Sequence, residues 1–512
     1  MREGGEIMKA AIRLTSLLLA VMMVLPLGAA FAVTDGYDSV YTYNYDYWDD
    51  YKETPDAYRV EQVIYSPTLG LETPMRRPQS LYVRDNDIYV CDTGNNRILH
   101  IRRDGDGYSL VRIIDAISGA EPAAFNTPSD VFVDEAGNIY VADTNNNRVV
   151  MADKNLNFVQ SFTKPNDSTF DQSLSFLPDK LVVDSSGRVY VLATNVNKGL
   201  VKYEADASFT GFIGANPVVY TMWDYIWKTF FTTKAQRAQQ ASFVPTEYEN
   251  IAIDQEGFIY ATNIVFDEYD LIYDNAKPIR RLNAIGSDIL VKNDWYPPIG
   301  DLHWEEQSQD YGPSKFTDIT VLDSDIYIAF DRTRGRFFGY DPQGIMLWTF
   351  GTKGNSDGAF LAPISIEHMG NDLLALDENE ASITVMTPTE YGSLIYQASD
   401  QYLSGDYDGS ADTWREVLKL NANYNLAFIG IGRALMRQEN FKEAMDYFKM
   451  AYDRDNYGRA YRYYRKEMIE ENIVWIVLVV AVVLVVPLAI GRIKKMKAEV
   501  EAYERRQNQQ RA

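Results

Sequence analysis

Short β-rich runs alternate with turn residues through most of the chain, and they recur at a regular spacing. Residues 131–133 and 139–141 are two such runs, and the turn residues 134–137 lie between them. Repeated β units of 40–50 residues are typical of a propeller and not of a sandwich. The pattern therefore predicts a mainly β, six-bladed propeller. Its six units begin near Pro78, Pro128, Pro178, Ile251, Ile319 and Ile364.

A strand-like run precedes the first unit at residues 58–65 (YRVEQVIY). We expect it to pair with the last blade near residues 383–386, because this pairing would close the ring and remove two exposed sheet edges. The preceding stretch, 37–51, is dense in Tyr and Asp and lacks aliphatic residues. That composition predicts an exposed linker, here bounded at 33–57.

Two apolar segments bear on where the protein is located. Residues 1–32 contain a short basic stretch, an apolar run and a small-x-small ending at Ala32, which predicts a secretory signal peptide or else a signal anchor. Residues 473–490 form an uncharged run of about 27 Å as a helix, near the thickness of a bilayer core. The basic tail 491–512 then predicts a cytoplasmic C-terminus and an external propeller at the cell membrane.

Between the propeller (58–395) and the membrane segment, the periodicity changes to helical. Gly432, Ala444, Phe448 and Ala451 stand at offsets 0, 12, 16 and 19, which resembles the close helix crossing of a tetratricopeptide repeat (TPR). A second copy lies 34 residues earlier. We therefore expect a TPR-like region at 396–470 or a generic helical bundle, packed on the propeller or on the last helix because two repeats are few.

A helical stripe of aromatic residues interrupts the propeller at 217–241 and includes Trp223 and Trp227. It is interpreted either as a helix packing on the propeller or as a docking surface for a partner or the membrane.

Composition excludes several classes of protein. The net charge of −23 argues against nucleic-acid binding. A single cysteine excludes an intrachain disulfide, and three histidines leave little basis for a multi-histidine metal site. The sequence lacks four common catalytic or binding motifs: the nucleophile elbow, the zincin motif, the P-loop and CxxC. Chemistry of those kinds is not indicated.

The first two units also share the string Asp-Thr-x-Asn-Asn-Arg-Ile/Val after a strand, and this string resembles the NHL repeat. The resemblance, over about 59–395, is to bacterial membrane-anchored NHL-repeat propellers. It implies a face of loops that binds a ligand, whereas the alternative role of these residues is to stabilise turns. The motif residues are Asp92, Asn96, Arg97, Asp143, Asn147 and Arg148.

The function expected from these features is a membrane-anchored binding or scaffold protein with a protein or carbohydrate partner and no cofactor. An accessory role in a membrane transport complex is one form of this expectation. The alternative is a hydrolase of the gluconolactonase type. That resemblance implies calcium or zinc bound by carboxylates and Asn in the central channel. Its candidate residues, which otherwise cap turns, are Asp130, Asp184, Glu249, Asn250 and Asp318.

Overall fold

The computed structural model of the protein describes residues 42–45, 51–105, 107–196, 198–214, 248–272, 276–292, 298–301 and 312–511. The signal segment 1–32, the aromatic stripe at 217–241 and the residues Trp223 and Trp227 lie outside the described residues.

Six antiparallel sheets form the blades of the propeller, and three strands precede the first complete blade. The early strands are β1 (Tyr43–Tyr45), β2 (Tyr51–Glu53) and β3 (Tyr58–Ile64). Blade 1 contains β4 (Ser80–Arg84), β5 (Asp87–Asp92), β6 (Arg97–Asp104) and β7 (Gly107–Ile114). Blade 2 contains β8 (Pro128–Val133), β9 (Ile139–Asp143), β10 (Arg148–Ala152) and β11 (Phe158–Thr163).

The third blade precedes the aromatic stripe in sequence, and the fourth blade follows it. Blade 3 contains β12 (Pro178–Val183), β13 (Val189–Ala193), β14 (Leu200–Tyr203) and β15 (Phe209–Ile213). Three described strands form blade 4, and a short helix, α1 (Glu268–Ile272), lies between the second and third of them. They are β16 (Ile251–Ile253), β17 (Ile259–Thr262) and β18 (Ile279–Leu282).

The last two blades contain strands from both ends of the propeller sequence. Blade 5 contains β19 (Phe316–Val321), β20 (Tyr327–Asp331), β21 (Arg336–Tyr340) and β22 (Met346–Phe350), followed by a small parallel pair, β23 (Thr352–Lys353) and β24 (Ala359–Phe360). Blade 6 contains β25 (Pro363–Met369), β26 (Asp372–Asp377) and β27 (Ser382–Pro388), with β3 as its fourth strand.

The sequence pattern within a blade follows from its packing. Inner strands such as β8 and β9 are buried along their whole length, because both faces of the sheet contact neighbouring blades. The outer strand β7 instead alternates exposed and half-buried positions. Gly137, in the hairpin between β8 and β9, has a φ of 82°, a conformation that favours glycine.

Strand β3 closes the ring, as the sequence predicts. It runs antiparallel to β27, with Ile64 opposite Ile383 and Tyr58 opposite Pro388. The first strand of the propeller sequence thus becomes the outer strand of its last blade, which ties the two ends together.

The prediction of an exposed linker is wrong for the described part of the Tyr/Asp-rich segment. Strands β1 and β2 form a hairpin that extends blade 5, with Tyr43 opposite Thr349 on β22. Tyr43 is buried, and its hydroxyl donates a hydrogen bond to Asp301 while accepting one from Arg336 at 3.0 Å. The segment is ordered because tyrosine supplies both apolar ring area and a polar group that finds buried partners.

Helices follow the propeller directly, and they begin inside the range predicted for it. Their bounds are α2 (Glu390–Ser404), α3 (Tyr407–Leu420), α4 (Asn425–Arg437), α5 (Phe441–Met450) and α6 (Arg454–Arg511). Consecutive helices contact one another. The sequence pattern predicts that the TPR-like region ends at residue 470 and that the membrane segment begins at residue 473. In the structure, residues on both sides of this boundary belong to one continuous helix, α6.

The helices pack on blades 5 and 6, which confirms the expectation that they rest on the propeller. Trp348 and Phe350 of blade 5 share a hydrophobic core with Tyr396 and Trp414 of the helices. The hydroxyl groups of Tyr58 and Tyr396 lie 2.6 Å apart across this interface. The propeller and the start of the helical region therefore form one continuous core.

We predict that Tyr43→Phe lowers the free energy of unfolding by about 1–3 kcal/mol, because a buried charged pair, Asp301 and Arg336, loses a hydrogen-bond partner. Urea denaturation of the full chain in detergent micelles measures the change. Tyr65→Phe is the matched control, since Tyr65 is exposed. Equal stability of the Tyr43→Phe variant and the parent chain would show that the hairpin contributes little.

Candidate functional site

A ring of six polar side chains closes the central channel. Each blade contributes the residue at the same repeat position, in or immediately before its innermost strand, so the six positions converge on the propeller axis. Four of the inner strands are irregular immediately before this position, for example between Pro128 and Asp130. Such a bulge re-aims the side chain that follows it. The ring consists of Ser80, Asp130, Lys180, Asn250, Asp318 and Ser365.

Neighbouring blades are joined through the two carboxylates of the ring. Asp130 accepts hydrogen bonds from the Ser80 hydroxyl at 2.5 Å and from the backbone N–H of Leu181 at 2.7 Å. Asp318 accepts hydrogen bonds from the Ser365 hydroxyl at 2.7 Å and from the backbone N–H of Ile366 at 2.8 Å. Each carboxylate thus binds groups from an adjacent blade, and this fixes the inner strands relative to one another.

Lys180 supplies the positive charge of the ring. Its ammonium group is buried and donates a hydrogen bond to the backbone oxygen of Gln79 at 3.0 Å. Burial by itself lowers the pKa of Lys180, but the charges of Asp130, Asp179 and Asp318 outweigh burial, and the net shift is upward. A buried lysine held protonated in this way compensates the ring carboxylates.

For the two ring carboxylates, burial has a larger effect on the pKa than nearby charges. Burial raises the pKa of Asp318 to about 6, although the charge of Lys180 opposes the shift. Burial also raises the pKa of Asp130, again with Lys180 acting against it. The axis is therefore a site where charge is costly and where Lys180 offsets part of that cost.

The ring lies between two cavities. The larger, of about 670 Å³, is bounded by the inner strands and by the first hairpin of several blades. The smaller, of about 240 Å³, lies at the opposite mouth of the channel and contains Lys180, Asp179 and Glu249 in its wall. The larger volume is typical of a ligand-sized pocket.

The larger cavity is strongly acidic. Among the described residues that line it are nine carboxyl groups and one guanidinium, that of Arg84. Some of the carboxylates are paired outside the cavity, for example Asp254 with Arg281 at 2.6 Å. The acidic lining residues are Asp85, Asp130, Asp134, Glu135, Asp184, Asp254, Asp318, Asp323 and Glu367.

A small hydrogen-bonded group lies on the wall of this cavity. The Thr320 hydroxyl lies 2.7 Å from Nδ1 of His368 and 3.2 Å from the carboxylate of Glu367. Burial raises the pKa of Glu367 and lowers the pKa of His368. His368 is therefore uncharged at neutral pH and adds no positive charge to the cavity.

The residues proposed for a lactonase-type metal site are only partly brought together. Asp130, Asn250 and Asp318 meet in the ring. Asp184 instead lies in a hairpin and pairs with Arg188 at 2.6 Å, and Glu249 faces the opposite mouth and pairs with Arg332 at 2.9 Å. Within the described residues, no group of three or more His, Cys, Asp or Glu side chains is placed to hold a metal ion. This donor set, with a lysine in its ring, does not fit calcium or zinc.

In blades 1 and 2, the NHL motif residues bind the loop that enters the blade through hydrogen bonds. Asp92 is fully buried and accepts hydrogen bonds from Arg97 Nε at 2.7 Å and from the backbone N–H of Arg76 at 2.7 Å. Arg97 also donates to the backbone oxygen of Thr73 at 2.6 Å. Asp92 and Arg97 therefore make their hydrogen bonds to other parts of the propeller.

The second copy of the motif repeats this arrangement. Asp143 is fully buried and accepts hydrogen bonds from Arg148 Nε at 3.0 Å and from the backbone N–H of Asn126 at 2.8 Å. Arg148 is also buried and donates to the backbone oxygen of Pro122 at 2.6 Å. The turn-stabilising interpretation accounts for all of these contacts.

Asn96 and Asn147 differ from the rest of the motif, because both are exposed and both have a left-handed backbone. Asn96 accepts a hydrogen bond from the backbone N–H of Thr127, in the loop that enters the next blade, at 2.8 Å. A role in partner binding stays a prediction for these two side chains.

Sequence reasoning missed three features of the site. Lys180 was not identified as a ring residue, although it lies 50 residues after Asp130 and shares its position in the repeat. Asp331 repeats the motif aspartate in blade 5, where it accepts the backbone N–H of Lys315 at 2.8 Å. Asp377 does so in blade 6, where it accepts the backbone N–H of Leu361 at 2.7 Å.

Comparison with known proteins identifies the repeat in the first two blades. The family described as NHL repeat matches residues 75–101 and 125–150, which lie in blades 1 and 2. The chain therefore contains NHL repeats. The human NHL repeat-containing protein 3 is 37% identical over 81 residues, 15% of this chain and 22% of that protein. The chain thus matches about a fifth of that relative's length.

Similar solved structures have low sequence identity to this chain. Virginiamycin B lyase from Staphylococcus aureus is 12% identical, with a TM-score of 0.39, over 64% of this chain and 99% of that one. A protein assigned as a gluconolactonase is 9% identical, with a TM-score of 0.38, over 66% of this chain and 94% of that one. Likeness at this level indicates no activity for this chain.

We predict that Lys180→Met lowers the free energy of unfolding by about 3–5 kcal/mol at pH 7.5, because two buried carboxylates lose their compensating charge. The loss should be smaller at pH 5. A carboxyl whose folded pKa is raised adds stability when protonated, and it loses that contribution as pH rises through about 6. Urea denaturation at the two pH values measures this, with Lys154→Met, at an exposed lysine, as control. A loss independent of pH would contradict the assignment.

We also predict that Asp143→Asn destabilises the chain by about 2–4 kcal/mol, because Arg148 is left as a buried, unpaired charge. Asp153→Asn is the matched control: Asp153 also accepts backbone N–H groups in a turn, but it is only half-buried and no ion pair joins it to another described residue, so its substitution should cost much less stability. If the motif serves partner binding instead, Asp143→Asn would keep its stability and lose partner capture.

Proposed function

We propose that the protein is a membrane-anchored binding or scaffold protein whose propeller faces the outside of the cell and binds a basic segment of a protein partner. The observation that carries this proposal is the acidic cavity of about 670 Å³, which is closed at one end by the polar ring. The NHL propeller fold fits such a role, since loops and cavities on a rigid scaffold commonly form binding sites.

The charge of the cavity supports a cationic partner. Asp85, Glu135 and Asp323 lie on the exposed rim. None of the three has an ion-pair partner among the described residues. Asn250 lines the cavity, is 95% buried in the ring, and accepts the N–H of Ile251 at 2.8 Å with its side-chain oxygen. Its amide N–H groups are the donors that this side chain can offer a ligand. A lysine- or arginine-rich peptide offers positive charge to the rim and backbone oxygen to this amide.

The last helix supports membrane anchoring. Its apolar stretch is long enough to cross a bilayer, and none of that stretch is buried by the rest of the chain. The large apolar side chains of residues 473–490, such as Val474 and Leu488, are exposed. Lipid is the solvent that such a surface fits. The predicted signal segment and the basic tail support the external position of the propeller.

The helical region is proposed to add a second, TPR-like binding surface. Two close approaches support this relation: a Cβ at Gly432 would lie 2.6 Å from the Phe448 ring, and Ser410 donates a hydrogen bond to the backbone oxygen of Ala398 at 2.8 Å. Both pairs occupy the positions that the 34-residue spacing identifies. A generic helical bundle would also allow these contacts, so the proposal concerns the repeat relation and not the packing.

We predict that the full chain in micelles binds fluorescent decalysine and not decaglutamate. The variant Asp85→Asn/Glu135→Gln/Asp323→Asn should weaken binding about tenfold or more at 0.1 M salt, because it removes three rim charges. Fluorescence anisotropy measures the affinity. The control Asp400→Asn/Glu439→Gln/Asp446→Asn removes three exposed charges from the helical region and should bind normally. Equal weakening by both variants would show only nonspecific charge attraction and would contradict the proposal.

Crosslinking of the intact protein in its native membrane, from a photoreactive residue at position 135, then identifies the partner. Capture of a protein through a basic segment supports the proposal. Capture of a carbohydrate would contradict the proposal of a protein partner and would show that the ligand is a carbohydrate. Recovery of monomer alone, together with metal-dependent opening of sugar lactones by the purified chain, would favour the hydrolase.

A further inference from the structure

The end of α6 that follows the apolar stretch carries a compact group of basic side chains. Arg492, Lys494, Lys495 and Lys497 are all exposed. At 100° per residue of an α-helix they are distributed around the whole helix circumference. No ion pair joins any of the four to another described residue. We call these four residues the basic belt.

The position of the basic belt along the helix matches a lipid headgroup layer. The helix is continuous from Arg454 to Arg511, so its rise places the belt about 3–10 Å beyond Ile490. The polar layer on each side of a bilayer core is about 5–8 Å thick. The first acidic residue beyond the span, Glu499, lies about 13 Å past Ile490.

The other end of the same apolar stretch is different. Glu470 and Glu471 lie beside its first residue, and Lys466 pairs with Glu470 at 3.6 Å. Four basic residues also precede this end, but acidic neighbours reduce their net charge. They are Arg459, Arg462, Arg465 and Lys466.

We infer that the basic belt binds the headgroups of anionic lipids in one leaflet of the membrane. The inference rests on the proposed membrane anchoring. Four lysine and arginine side chains at headgroup depth, with no acidic residue among them, attract anionic headgroups by direct charge complementarity. Because the belt surrounds the helix, a straight helix can contact several headgroups at once without lying on the surface. The opposite end has no comparable preference.

The chain permits a direct test with single cysteine labels. Cys91 is fully buried and does not compete for labelling. Gly491→Cys and Asn472→Cys place a fluorophore at the two ends of the apolar stretch in full-length protein reconstituted into vesicles of phosphatidylcholine and phosphatidylglycerol. Quenching by spin-labelled phosphatidylglycerol is compared with quenching by spin-labelled phosphatidylcholine.

The expected result is a quenching ratio at position 491 about threefold above the ratio at position 472 in 0.1 M salt. In 1 M salt, where the screening length falls to about 3 Å, the excess should largely vanish. The variant Arg492→Gln/Lys494→Gln/Lys495→Gln/Lys497→Gln should abolish the excess. The matched variant Arg459→Gln/Arg462→Gln/Arg465→Gln/Lys466→Gln, which removes four charges from the other end, should preserve it.

Equal ratios at the two positions, or equal loss in both charge variants, would overturn this inference. Extraction of the parent chain from vesicles by alkaline carbonate would overturn both the inference and the membrane anchor. Retention in the vesicles with equal quenching at both ends would overturn the lipid preference alone.

Discussion

The fold depends on closure of a ring, because six twisted sheets meet at one axis only if the first and last blades are joined. The pairing of β3 with β27 provides that joint. It also determines what lies at the axis. The inner strands present one side chain each to a shared centre, where Asp130 and Asp318 bind groups of neighbouring blades and Lys180 compensates their charge.

The chemistry of the axis separates the two classes of function considered for this chain. A metal hydrolase needs several carboxylate and amide oxygens free to bind one ion. Here the oxygens of Asp130 and Asp318 already accept hydrogen bonds from serine and backbone groups, and a lysine shares the ring. The carboxylates of the rim lie outside the ring, at the open side of the cavity, where a cationic ligand can reach them from solution.

Much of the fold was readable from the sequence, because blade repeats are local. The 50-residue spacing of Pro78, Pro128 and Pro178 and the hydrophobic pattern of 58–65 predicted six blades and their closure. The site was less readable, since convergence on an axis is a long-range property. Asp130, Asn250 and Asp318 were identified by type, but Lys180 was missed because a lysine in a strand is ordinarily solvent-exposed. The burial of Tyr43 was missed because its partners, Asp301 and Arg336, are about 250–300 residues away in sequence.

Ring closure is tested most directly by a disulfide across the joint. Arg59 on β3 and Thr387 on β27 are directly opposite, and Arg59 Nε lies 3.4 Å from Thr387 Oγ1. Mild oxidation of the full chain carrying Arg59→Cys and Thr387→Cys should give nearly complete crosslinking, seen as a mobility shift under denaturing, non-reducing conditions. Arg59→Cys with Ser382→Cys, at the other end of β27, should not crosslink. Failure of the first pair, or equal crosslinking of both, would contradict the closed six-bladed ring.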